Sequence, residues 1–61
     1  MTFAQLRRGQ TFTMDYDGSA FYCKLTHWTY RLLDLTTREP VPGMTYSLRE
    51  RGVGVPVRPC Q

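Results

Sequence analysis

Residues 11–26, TFTMDYDGSAFYCKLT, decide the fold. Phe12, Met14 and Tyr16 alternate with Thr11, Thr13 and Asp15, the period of two expected of a half-buried strand over Thr11 to Tyr16. Asp17-Gly18 follows, a dipeptide suited to a type I′ turn, where both central residues take positive φ. Ala20 to Thr26 then alternates again, with Phe21, Cys23 and Leu25 on one face and Tyr22, Lys24 and Thr26 on the other. The stretch therefore predicts a β-hairpin with Phe21, Cys23 and Leu25 turned to the core. Tyr22 and Lys24 are then turned outward.

Working toward the N-terminus, Phe3 to Leu6 is long enough for one helical turn only, and Arg7-Arg8-Gly9-Gln10 reads as a turn in which Gly9 is free to take positive φ. Toward the C-terminus, His27-Trp28-Thr29 is a short connection. Tyr30 to Leu35 is a third strand with apolar groups on both faces, Leu33 and Leu35 toward the core and Leu32 outward. Thr36 to Gly43 holds two prolines and a glycine and reads as a loop. Met44 to Leu48 and Val53 to Val57 complete the set, joined by a tight turn at Arg51-Gly52. Pro56 restricts the last strand to a sheet edge.

Sixty-one residues make one domain, here placed at 1–58 with a tail at 59–61. That length excludes a multidomain enzyme or a nucleotide-binding α/β fold. Aromatic content of 13% with a net charge of +3 speaks against simple disorder. Five short strands with no helix to cover a flat sheet are expected to curl on themselves. The expected architecture is an all-β, five-stranded SH3-like barrel with one short N-terminal helical turn. Its expected core is Phe3, Leu6, Phe12, Met14, Phe21, Cys23, Leu25, Leu33, Leu35, Met44, Tyr46, Leu48, Val53 and Val55.

The first half also resembles a class of short phage and bacterial proteins with the pattern F-x-x-L-x-x-G-x-x-F, a hairpin, Y-x-K and a leucine-bearing third strand. Phe3, Leu6, Gly9, Phe12, Tyr22, Lys24 and Leu33 with Leu35 carry the resemblance, which spans about residues 2–37. It implies a small SH3-like barrel, often phage-encoded, and no particular activity. Trp28 and the proline loop 39–43 depart from the pattern.

Catalytic chemistry finds little support. Cys23, His27 and Cys60 supply at most three metal ligands and match no knuckle spacing. Asp15, Asp17 and Asp34 form no evident carboxylate pair, and Gly52-Val53-Gly54 is too short to mark a phosphate loop. No catalytic residue, metal or cofactor is expected. The opening MTFAQLRRGQ lacks an apolar secretory core, and the longest apolar run is Ala20 to Cys23, so a cytoplasmic location with reduced thiols is expected and a membrane association is not.

Binding is the better reading. Tyr22, Lys24, His27, Trp28, Tyr30 and Leu32 are expected to form an aromatic, apolar and basic outer face. Such a face suits a protein partner or self-association. The alternative is single-stranded or structured nucleic acid, with aromatic rings stacking on bases and Lys24, Arg31, Arg49, Arg51 and Arg58 meeting phosphates. A net charge of +3 is low for a dedicated nucleic-acid binder, which favours the protein partner.

Overall fold

The computed structural model describes residues Met1 to Cys60. It is all-β: strands β1 (Thr11–Met14), β2 (Asp17–Lys24), β3 (Thr29–Leu33), β4 (Pro40–Ser47) and β5 (Val57–Pro59) follow a 3₁₀ turn at Phe3–Gln5. The strands make one antiparallel sheet in the order β4-β3-β2-β1-β5, with β4 and β5 at its two edges. Met1 to Ala4 run against the segment before β5. The Phe3 amide donates to the Val55 carbonyl at 3.0 Å and the Ala4 amide to the Val53 carbonyl at 2.9 Å. Val53 and Val55 thus pack on the core from a looped segment rather than from a strand over Val53 to Val57.

Several expected bounds move. The segment expected as a loop, Thr36 to Gly43, contributes its second half to β4; two prolines are tolerated because β4 is an edge strand with one side free of partners. The tight turn before β5 is present: the Gly52 amide donates to the Leu48 carbonyl at 2.7 Å, with Gly52 at φ 86°. Pairing continues past residue 58, since Pro59 stands opposite Phe12 and the Cys60 amide donates to the Thr11 carbonyl.

The largest correction is the hairpin register. The turn falls at Asp15-Tyr16, with Met14 opposite Asp17, and Gly18 does not take positive φ. Asp17 instead accepts the Ser19 amide and hydroxyl at 2.9 and 2.6 Å, a local arrangement that needs no glycine geometry. A two-residue turn at Asp17-Gly18 would have set Phe12 opposite Cys23. The pairing here is Phe12 with Tyr22, reached through an irregularity between Phe12 and Met14. A one-residue change of register exchanges the faces of a strand. Tyr22 and Lys24 are therefore turned inward. Phe21, Cys23 and Leu25, expected in the core, are only half-buried.

The core is Phe3, Leu6, Phe12, Met14, Tyr30, Leu48 and Val57, with Tyr22, Val53 and Val55 packed against it. Phe3, Phe12 and Tyr30 meet edge-on or tilted at centroid distances of 5.6 to 5.7 Å, the offset geometry that aromatic rings prefer. Leu33 is buried outside this cluster, paired with Phe21 on one side and Pro40 on the other. The Arg38 guanidinium covers Phe21 at 4.3 Å. Leu35, Met44 and Tyr46, expected inside, are exposed. Leu35 lies beyond the end of β3, and Met44 and Tyr46 lie on the edge strand β4.

Candidate functional site

All four tyrosines of the chain line one groove. Tyr16, Tyr22, Tyr30 and Tyr46 enclose about 400 Å³ together with Ser47, Leu48 and Arg51. The register explains the gathering. Tyr22 stands beside Leu32 across β2 and β3, and Tyr30 stands opposite Tyr46 across β3 and β4. Directly opposed residues share a face of the sheet. Tyr30 stacks on Tyr46 at 5.4 Å, whereas Tyr22 meets both of them edge-on, at 5.2 Å to Tyr30 and 6.3 Å to Tyr46. Tyr30 forms the floor at 8% exposure, Tyr46 a wall at 38%, and Tyr16 the open rim at 77%, carried by the β1–β2 turn. The groove opens beside β4, whose outer edge has no partner strand.

Burial raises the pKa of the Tyr22 phenol, and the neighbouring Tyr16, Tyr46 and Asp17 add to it. Burial likewise raises Tyr30, with Tyr22, Tyr16 and Tyr46 adding to the effect and Arg51 opposing it. Both stay neutral hydroxyls, able to donate. The Tyr46 hydroxyl donates to the Met44 sulfur at 3.6 Å. Arg51 is the one charged residue lining the groove. Among the described residues it has no carboxylate at ion-pair distance; the only ion pair joins Arg58 and Asp15 at 3.1 Å.

The residues expected to form an outer binding face divide. Tyr22 and Tyr30 belong to the groove, on the inner side of the sheet and not the outer one. Leu32 is half-buried beside Tyr22 and is no spare outward leucine. His27 and Trp28 are exposed, as expected, and their rings meet edge-on at 4.7 Å in the β2–β3 connection, outside the groove lining.

Lys24 is the clearest correction. It is 4% exposed. Its Nζ donates to the Phe3 and Leu6 carbonyls, each at 2.9 Å, and lies 4.6 Å from the Phe3 ring centroid. Burial, with a contribution from Arg8, lowers its pKa. Lys24 ties the N-terminal turn to β2 and is withdrawn from both proposed interfaces. Of the arginines expected to meet phosphates, Arg31 is half-buried with its Nε enclosed and lacking a hydrogen-bond partner among the described residues. Arg49 and Arg58 are exposed but outside the groove lining; Arg51 alone joins it.

Tyr16, Tyr46, Ser47 and Leu48 are the groove residues that sequence reasoning missed. The signal available was the tyrosine count itself, four in 61 residues, since phenols are suited to half-buried positions with one wet end. Cys23 and Cys60 are free thiols. Among the described residues no three His, Cys, Asp or Glu side chains converge where a metal ion would sit, and no helix is long and apolar enough to cross a membrane. In comparison with known proteins, the chain matches no protein-family model, curated protein or solved structure.

Proposed function

We propose that this chain is a non-enzymatic binding module that holds an extended segment of a protein partner in the tyrosine groove. The observation that carries the reading is the convergence of Tyr16, Tyr22, Tyr30 and Tyr46 on one open cleft with an arginine that has no carboxylate partner among the described residues. Tyrosine and arginine are the side chains that dominate protein interfaces. They offer large contact area at small entropic cost, with polar tips to fix orientation. The groove also has a rigid floor, because Tyr22 and Tyr30 are packed on Phe12.

The sheet is read as an SH3-like barrel left open between its edge strands β4 and β5. The resemblance of residues 2–37 to short phage and bacterial proteins fits an accessory protein or an inhibitor of a host factor acting in the cytoplasm. Nucleic acid is the weaker reading, because Lys24 is buried and Arg31 half-buried, leaving fewer of its expected cations free for phosphates.

Peptide display against the immobilised domain tests the function. A selected peptide is expected to lose tenfold or more in affinity, about 1.4 kcal/mol, on Tyr46→Ser. Trp28→Ala is expected to leave that affinity unchanged. Binding that survives Tyr46→Ser, or a domain that selects no peptide yet holds oligonucleotides with steep salt dependence, contradicts the proposal.

A further inference from the structure

We infer that the chain carries a second site, a cleft at its N-terminal turn that takes the phosphate group of a small phosphomonoester with a polar, non-aromatic carrier. The cleft lies between the N-terminal turn, the start of β1 and Cys60, and encloses about 780 Å³. It shares no lining residue with the tyrosine groove.

Charge selects an anion. Arg7 and Arg8 line the cleft, both exposed, and no Asp or Glu lines it. Residues 1–14 contain no acidic side chain, and the first one in the chain, Asp15, is joined to Arg58. Among the described residues neither Arg7 nor Arg8 has a carboxylate at ion-pair distance. The Lys24 ammonium lies beneath the same turn, on the Phe3 and Leu6 carbonyls. Its pKa is lowered by burial and then by the Arg8 charge, so these cations act on one another. Positive charge gathered in this way draws an anion, and guanidinium forks fit phosphate oxygens through parallel N–H bonds.

Hydrogen bonding sharpens the choice. The Gln5 Oε1 accepts the Thr2 amide at 2.8 Å, and the Gln10 Oε1 accepts the Arg7 amide at 2.9 Å. Both carboxamide oxygens are thereby committed to backbone of the turn itself. The donors of a carboxamide are on its nitrogen, and neither Gln5 nor Gln10 spends them on another described residue. Two guanidiniums and two amide nitrogens then offer donors, and a phosphate group supplies three strongly accepting oxygens.

The lining also limits the carrier. It holds no aromatic ring, so a nucleobase finds nothing to stack on. Thr11 contributes a hydroxyl, which can donate or accept and so suits hydroxyls on the carrier. A polymer of phosphodiesters needs a cationic track with stacking rings, and this cleft has neither. Its volume falls within the range of about 300–1,000 Å³ usual for small-molecule sites.

The test titrates glycerol phosphate into the full chain, with glycerol, glycerate, adenosine monophosphate and a single-stranded oligonucleotide as controls. Affinity is read by calorimetry, and contact by the side-chain carboxamide signals of Gln5 and Gln10 in proton–nitrogen correlation spectra. Glycerol phosphate is expected to shift both signals and to bind about tenfold or more tighter than glycerate, with no binding of glycerol. Adenosine monophosphate is expected to bind no tighter than glycerol phosphate. Gln10→Glu keeps an acceptor for the Arg7 amide and replaces the donor with a carboxylate oxygen. It is expected to lose tenfold or more in affinity while the backbone spectrum stays that of a folded chain. Arg8→Gln alters an exposed side chain with no described ion pair, and is expected to weaken binding about tenfold should Gln10→Glu unfold. Tyr46→Ser is expected to leave the affinity for glycerol phosphate unchanged. Equal affinity for glycerol phosphate and glycerate, carboxamide signals that stay still at saturation, or wild-type binding by Arg8→Gln overturns the inference. So does a tenfold preference for adenosine monophosphate or the oligonucleotide, or a loss of phosphate binding on Tyr46→Ser.

Discussion

Phe12 stands directly opposite Tyr22 across β1 and β2, with ring centroids 5.6 Å apart. That pair fixes which side of β2 faces the core. With Tyr22 inward, Lys24 two residues on is inward too, and Tyr30 and Tyr46 complete an aromatic row across three strands.

Lys24 should behave as a structural residue. Lys24→Ala removes the donor shared by the Phe3 and Leu6 carbonyls and leaves both without it. The expected loss is about 2–4 kcal/mol, the range for stranding buried polar groups. Lys24→Met keeps the packed stem and is expected to cost less than Lys24→Ala, though still more than a surface change. Urea unfolding checks this; a loss within about 0.5 kcal/mol, the usual range for surface positions, would place the side chain outside.

The glycines should separate in the same measurement. Gly18 lacks positive φ, and an added Cβ meets nothing within 4 Å, so Gly18→Ala is expected to be neutral or mildly stabilising. Gly52 sits at φ 86°, where a side chain is strained although space is free. Gly52→Ala is expected to cost about 1 kcal/mol or more. A loss of about 1 kcal/mol or more for Gly18→Ala would contradict the turn at Asp15-Tyr16.

These two residues also show what the sequence could and could not carry. The strand content, the N-terminal turn, the positive φ of Gly9 and the tight turn at Arg51-Gly52 are local properties, legible from alternation and from Gly. The face of β2 is not local. It depends on where the hairpin turns, and Asp17-Gly18 carries a strong turn signal that an irregularity between Phe12 and Met14 displaces. One residue of register then moved Tyr22, Lys24 and Tyr30 from an expected outer surface to the interior. The same slip hid the groove, since its tyrosines lie on three strands and one turn. Prolines 40 and 42 suggested a loop because their edge position is a property of the whole sheet.

Alkaline unfolding should report the groove. The Tyr22 and Tyr30 phenols are raised above the ordinary 10.0, chiefly by burial. The unfolded chain therefore releases these protons first. Their stabilising contribution is full below pH 10 and is lost as pH rises through the folded values. Lys24, lowered by burial, acts in the opposite sense over the window up to 10.5. Folding stability measured in Lys24→Met is thus expected to fall more steeply above pH 10 than in the wild type. A flat profile in that variant contradicts the burial of both phenols.

At acid pH the β3–β4 connection should loosen. The Asp34 carboxylate accepts the Thr37 and Thr36 amides, which hold its pKa below 3.8. This contribution is present above the unfolded value and is lost as pH falls through the folded one. Amide proton shifts of Thr36 and Thr37 are expected to titrate together below pH 3.8; independent titration, or none, contradicts the shared acceptor.

The inward row of tyrosines is tested most directly by nuclear Overhauser contacts among the aromatic rings of the free protein. Contacts from Tyr22 to Phe12, to Tyr30 and to Tyr46 are expected, at ring-centre separations of 5.6, 5.2 and 6.3 Å. A spectrum in which Phe12 instead meets Cys23, with Tyr22 free of Tyr30 and Tyr46, would contradict the register and the groove built on it.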